Sequence, residues 1–209
     1  MKEIELFLVR HQESRGNRAR IIQGQVKGRL SPKGHNNASR IASFLAGLGS
    51  FDALYSSDQR RAIQTARPIK EKLGMDYVHR TPLLRERSFG KLEEKPYSAV
   101  LTQTGAGEPV NAQLRRFSVD ANQAPFREMD VEWLSGIEQR AAQFVTHLLS
   151  QPHQRVIVVG HYLMNNYLLN HLLHQEIGNQ GYPQAHNEIY RVIIDKKGNV
   201  KHWEKLTAK

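Results

Sequence analysis

The stretch Ile4-Glu5-Leu6-Phe7-Leu8-Val9-Arg10-His11 decides how this chain reads. Its body, residues 4–9, is short and nearly all apolar, as in a strand buried on both faces of a parallel sheet. It closes on Arg10 and His11, so a cation and an imidazole stand where the strand runs out into a loop. The pattern recurs far along the chain in Val156-Ile157-Val158-Val159-Gly160-His161. In open α/β sheets ligands bind outside the carboxyl ends of the strands. Two histidines and an arginine delivered to such an edge suit chemistry on a phosphoryl group.

Outward from these runs, strand and helix signals alternate. Residues 12–33 form a polar loop rich in Gly and Arg. Ser31-Pro32-Lys33-Gly34 opens a helix, with Ser31 as N-cap and Pro32 in the first turn. Ala38, Ile41, Ala42, Leu45 and Leu48 recur at helical spacing, and Gly47 and Gly49 mark the end. Residues 51–55 read as a second strand running into Ser56-Ser57. Residues 60–73 read as a second helix, in which Pro68 predicts a kink or break. A third short strand is expected at 77–79, then a charged loop at 83–90. Residues 91–130, with Gly105, Gly107, Pro109 and Pro125, lack periodicity and read as a lid or insertion. The helix expected over 131–150 carries Trp133, Ile137, Ala141, Phe144, Val145 and Leu148 on one face. A strand at 156–159 and a helix at 162–174 follow. Residues 189–194 and 200–206 form a closing hairpin around Lys197-Gly198-Asn199. The alternation predicts an α/β fold with a mainly parallel sheet, built as one domain over residues 1–209.

Composition narrows the function classes. The mean hydropathy is −0.57 and no apolar run approaches a membrane span. There is no cysteine, which excludes disulfides and thiolate metal sites. The start of the chain shows no signal-peptide pattern, and a cytoplasmic location is expected. Thirty Lys and Arg against 20 Asp and Glu give a formal charge of +10, which favours anionic partners. No aromatic-studded basic helix stands out, so nucleic acid is not the expected partner. A small phosphorylated substrate is.

Arg10-His11-Gln12-Glu13-Ser14, followed by Asn17, resembles the signature of the histidine phosphatase superfamily. This is the group of the cofactor-dependent phosphoglycerate mutases, fructose-2,6-bisphosphatase and acid phosphatases. Its signature is Arg-His-Gly at the end of the first strand; Gln12 departs from it. Gln23-Gly24 and Arg29-Leu30-Ser31-Pro32-Lys33-Gly34 are similar to the segments that follow in the family. Leu54-Tyr55-Ser56-Ser57 with Arg61-Ala62 and Thr65-Ala66 resembles the unit carrying the second core arginine. Leu84-Arg85-Glu86 with Phe89-Gly90 resembles the segment of the catalytic acid, and Val158-Val159-Gly160-His161 that of the second core histidine. The matches come in the family's order across residues 4–166. The resemblance implies a three-layer α/β/α fold of the phosphoglycerate mutase type, and neither metal nor cofactor.

It also implies roles. His11 is the nucleophile, since a neutral imidazole attacks through one nitrogen when a backbone acceptor holds the proton on the other. Arg10 and Arg61 offer planar donor forks to the equatorial oxygens of the transferred group. A protonated His161 adds a donor between them, and Asn17, Gln23 and Gly24 line the phosphate site. Glu86 protonates the leaving alkoxide and then activates water. Arg60 reads as a solvated helix charge beside Arg61, and Glu93 and Glu94 as surface or lid groups. His171 and His174 lack a third ligand and read as helix-end residues, as do His147 and His153. Tyr162 follows His161 where many members have a small residue. It either narrows the phosphate pocket or stacks on a substrate.

Phosphatase and mutase share this core and differ in the fate of the phosphohistidine. Gln23-Gly24 looks like the phosphatase branch, because mutases usually carry Ser or Thr before that glycine. The segment after Glu86 shows Glu93-Glu94-Lys95-Pro96 instead of the mutase continuation Gly-Leu-Asn-Lys. Against this, Arg115-Arg116 lies where mutases carry a substrate-binding arginine pair; an exposed basic turn is the other reading. The expectation is phosphomonoester hydrolysis. Mutase-type transfer and a non-catalytic phospho-ligand module are the alternatives, and the substrate and oligomeric state are not legible.

Overall fold

The computed structural model describes residues 3–98, 126–175 and 181–209. The strands are β1 (Ile4–Arg10), β2 (Ala53–Ser57), β3 (His79–Thr81), β4 (Arg155–Gly160), β5 (Glu188–Ile194) and β6 (Val200–Thr207). The helices are α1 (Arg15–Arg18), α2 (Pro32–Ala46), α3 (Arg60–Lys72), α4 (Leu134–Leu149) and α5 (Tyr162–Leu172). The strands form one sheet in the order β3-β2-β4-β1-β5-β6. The pairs β3/β2, β2/β4 and β4/β1 are parallel, and β1/β5 and β5/β6 are antiparallel. The expected hairpin therefore closes one edge of a mainly parallel sheet.

The period-2 alternation of the buried strands sorts side chains between two cores. Leu6, Leu8, Tyr55, Val156 and Val158 pack with Ile137, Phe144 and Leu148 of α4 and Met164 and Leu168 of α5. Phe7, Val9, Leu54, Ile157 and Val159 pack with Ile41 and Leu45 of α2 and Ala62, Ala66 and Ile69 of α3. Burying each large apolar side chain is worth about 1.5–3 kcal/mol, so both faces of the sheet are strongly held. The result is the expected three layers.

Local signals explain most boundaries. Ser31 caps α2 by accepting from the Gly34 amide at 3.0 Å, and Pro32 takes the first turn. Of the expected kink or break, no break occurs: α3 runs through Pro68. The proline removes one ladder bond, and the burial of Ala66 and Ile69 on either side of it keeps the helix whole. Trp133 does not join the apolar face of α4; it precedes the helix and is 52% exposed. The third strand lies at His79–Thr81, displaced toward the register that pairs Ser57 with Thr81. Of the segment 91–130, the described ends are tied together: Lys91 Nζ donates to the Glu128 carbonyl at 3.0 Å and lies 3.3 Å from Asp130. Residues 99–125, including Arg115 and Arg116, lie outside the described residues. Among the described residues no helix is long and apolar enough to cross a membrane.

Candidate active site

Strand order builds the site. Because β4 inserts beside β1 in parallel, Arg10 pairs with Gly160, and the residues that follow emerge side by side. The His11 amide donates to the Gly160 carbonyl at 2.9 Å, and the His11 and His161 rings lie 5.0 Å apart. On the other side of β4, β2 ends at Ser57 and feeds α3, whose first turn carries Arg61. Arg61 is 1% exposed while Arg60 is exposed, which settles which of the pair faces inward. Arg10, His11, Asn17, Gln23, Gly24, Arg61, Glu86 and Tyr162 all line one cleft of about 1160 Å³ at this edge.

Two hydrogen bonds define the state of His11. Its Nδ1–H donates to the carbonyl of Gln12 at 2.8 Å, and its Nε2 accepts from Arg61 Nε at 3.2 Å. The proton thus sits on Nδ1 and the lone pair on Nε2. Burial, with the charges of Arg61 and neighbouring histidines, holds this imidazole well below the usual histidine range. Arg61 is fixed by donating to the carbonyls of Gly24 at 2.7 Å and Val26 at 3.2 Å. Burial lowers its pKa to about 10, so it stays cationic at neutral pH. Glycine suits position 24: its φ is +44°, and a Cβ there would lie 2.1 Å from Glu93 Oε1 and force that side chain to move.

Glu86 sits against the start of α5. Its carboxylate accepts from the amides of Arg87 at 3.0 Å and of Leu163 and Met164 at 3.2 Å. Those amides and Arg61 favour the carboxylate, yet burial outweighs them and raises its pKa. The protein thus shifts the balance toward the protonated form that a general acid requires.

His161 departs from expectation. It is wholly buried, and burial with the charges of Arg61, Arg10 and Arg140 holds it well below the usual range, so among protein groups alone it is neutral rather than protonated. An anion seated between the arginines would reverse that balance. Both its ring nitrogens, and Arg10 Nε, have no hydrogen-bond partner among the described residues. Unpaired buried polar atoms cost about 1–3 kcal/mol each. These unpaired groups lie next to the His11 ring and leave hydrogen-bonding capacity that no described protein group takes up. Tyr162 lines this cleft, with the Arg10 guanidinium over its ring, 4.9 Å from the centroid.

Asn17 and Gln23 are held as a pair around Ser14. Ser14 Oγ donates to Asn17 Oδ1 at 2.8 Å and lies 2.6 Å from Gln23 Oε1. Glu93 is half-buried rather than a free surface group: its Oε1 accepts from the Gln25 and Phe89 amides at 2.8 and 2.9 Å, tying the Gly24 turn to the segment after Glu86. The departure at Gln12 is inward. Its side chain is fully buried and donates to the carbonyls of Arg10 at 3.1 Å and His186 at 2.5 Å. His147 and His153 pack around Tyr55 with His79, and no group of three His, Asp or Glu among the described residues is placed to hold a metal.

Sequence reading does not single out the residues that hold these groups. Gln59 accepts from Arg61 Nη2 at 3.2 Å and the Glu86 amide at 3.1 Å, linking cation and acid. Arg140 pairs with Glu132 at 2.8 Å and donates to the carbonyls of Leu83 and Arg85, clamping the Glu86 segment. Gln184 bonds Arg10, Leu8 and Asn165. Gln59 is a glutamine before the Arg60-Arg61 pair, Arg140 lies on the polar side of a helix legible by its apolar face, and Gln184 sits in a segment without pattern.

Residues 6–205 match the family model for the histidine phosphatase superfamily, branch 1. A Hydrogenobacter thermophilus protein named "Putative phosphoserine phosphatase 2" is 29% identical over 97% of this chain and 98% of its own length. Phosphoglycerate mutase 1 of Saccharomyces cerevisiae is 36% identical, over 55% of this chain and 47% of its own. Among solved structures, a mycobacterial glucosyl-3-phosphoglycerate phosphatase superposes with a TM-score of 0.77 at 22% identity, covering 99% of this chain and 98% of that one.

Proposed function

This chain belongs to the histidine phosphatase superfamily, and from that premise we propose that it hydrolyses phosphomonoesters through a phosphohistidine on His11. One observation carries the reading: the proton of His11 is locked on Nδ1 by the Gln12 carbonyl, which leaves the Nε2 lone pair beside Arg61. The Nε2 lone pair attacks phosphorus as the ester P–O bond breaks, and the Glu86 carboxyl delivers its proton to the leaving oxygen. Water then attacks the phosphohistidine and gives a proton to the Glu86 carboxylate. The N–P bond breaks and its electron pair returns to Nε2. Arg10, Arg61 and His161 hold the equatorial oxygens throughout, where positioning and charge stabilisation supply most of the rate.

Hydrolysis is favoured over mutase transfer by the Gln23-Gly24 pair, and by the full-length likeness to a protein named as a phosphatase, whereas the yeast mutase matches over half of this chain. The test is steady-state hydrolysis of p-nitrophenyl phosphate from acid to neutral pH with EDTA present. Turnover that is lost in His11→Ala is the expected result. Turnover that survives in that variant overturns the mechanism. No turnover, with activity on 3-phosphoglycerate primed by 2,3-bisphosphoglycerate, replaces it with the mutase reading; silence in both assays leaves a phospho-ligand binding module.

A further inference from the structure

The proposed chemistry leaves one histidine of the cleft unused. His186 precedes β5 and lines the cleft, its ring 5.8 Å from that of His11. Its Nδ1 lies 2.7 Å from the His11 carbonyl oxygen. A carbonyl oxygen only accepts, so Nδ1 carries a proton. Burial and the nearby Arg10 charge lower the pKa of His186 to about 4, which leaves one proton on the ring at physiological pH. Nε2 is then a lone-pair acceptor, with no protein partner among the described residues.

His186 lines a cleft whose phosphate end is dominated by the donors of Arg10 and Arg61. Its Nε2 lone pair repels phosphoryl oxygens, which are acceptors themselves, so it serves the other half of the substrate. It is also rigidly placed. Gln12 Nε2 donates to the His186 carbonyl at 2.5 Å, Arg10 Nη1 to the Gln184 carbonyl at 2.8 Å, and Lys205 Nζ to the Pro183 carbonyl at 2.7 Å. A preorganised acceptor costs little to use and much to leave unpaired.

We propose that His186 is a specificity-determining residue that accepts a hydrogen bond from the alcohol half of the substrate, and so selects phosphomonoesters whose alcohol carries a further hydroxyl or ammonium donor. This rests on the hydrolase reading above. Nearby Glu188, which lines the same cleft and is held by the Ala185 amide at 2.6 Å, adds a second acceptor for the same kind of group.

The experiment compares kcat/KM for matched substrates: glycerol 3-phosphate against propyl phosphate for the hydroxyl, and O-phosphoethanolamine against ethyl phosphate for the ammonium. The expected result is a preference of about tenfold or more for at least one donor-bearing member, the scale of one unpaired buried acceptor. In His186→Asn the side-chain amide can still donate to the His11 carbonyl, but the distal acceptor is gone. There the preference falls to within about twofold of unity, mainly through the donor-bearing substrate. His186→Gln returns an acceptor near the Nε2 position and restores part of the preference. Wild-type ratios near unity for both pairs, with p-nitrophenyl phosphate still hydrolysed, overturn this inference and leave the hydrolase reading standing. So does a preference that His186→Asn preserves, or a parallel loss on both members, which assigns His186 to positioning alone. No turnover of any phosphomonoester removes both readings together.

Discussion

Replacing Glu86 by Gln tests the acid-base assignment most directly. The change is nearly isosteric. One oxygen can still accept from the Arg87 and Met164 amides, while the new amide group turns donors toward Leu163 N–H, which loses its acceptor. An unsatisfied buried N–H costs about 1–3 kcal/mol, which for a chain of this size lowers Tm by roughly 2–12 °C. Relief of a buried carboxylate offsets part of that, so the variant stays folded. The catalytic loss is larger. A positioned general acid is worth about 10²–10⁴-fold, or roughly 3–5 kcal/mol of barrier. It depends on the leaving group: an alkoxide needs the proton and p-nitrophenolate does not. Rapid-mixing assays on Glu86→Gln should therefore show a stoichiometric burst of p-nitrophenolate followed by slow turnover, because water activation is also impaired. Phosphoryl transfer from glycerol 3-phosphate or propyl phosphate should fall by about 10²–10⁴-fold. Equal losses of the first step for aryl and alkyl phosphates, or full activity on alkyl phosphates, would refute the role of Glu86.

Three further outcomes follow from the same geometry. Burial holds His11 well below its usual pKa and raises that of Glu86, and the reaction needs the imidazole neutral and the carboxyl protonated. The kcat/KM profile should thus persist below the ordinary histidine range and decline as pH rises through the raised Glu86 value; an activity that instead climbs from acid to alkaline pH contradicts the assignment. Arg140→Met removes the partner of Glu132, whose side chain is 17% exposed, and frees the Leu83 and Arg85 carbonyls. A loss of about 3 kcal/mol is expected, read as a Tm drop of roughly 6–12 °C by scanning calorimetry, and an unchanged Tm would show that this clamp carries no stability. Arg15, Arg18, Arg20, Lys27 and Arg29 are exposed on the segment between β1 and α2, which has no acidic residue between them, and Arg20 lines the cleft. Capture of a multiply charged phosphate should weaken as salt rises from about 10 to 150 mM and the screening length contracts from roughly 30 to 8 Å; a flat salt profile argues against electrostatic steering.

Periodicity and spacing determine much of this protein. Both buried strands ending in histidine and the Ser31 cap follow from local pattern, because burial on a strand face imprints a period and a cap needs a short polar side chain; the choice of Arg61 over Arg60 came with the family resemblance of Arg61-Ala62 and Thr65-Ala66. The core set Arg10, His11, Arg61, Glu86 and His161 was legible through motif order. Tertiary structure decided the rest. Only the insertion of β4 between β1 and β2 brings His11 and His161 together, and parallel pairing between distant segments leaves no local trace. Gln59, Arg140, Gln184 and His186 act through hydrogen bonds to partners that are mostly far away in sequence, which no periodicity encodes. The neutrality of His161, the stacking of Tyr162 on Arg10 and the inward turn of Gln12 depend on how much water and which charges surround each group. Those are properties of the assembled interior, and they set the protonation states on which the chemistry depends.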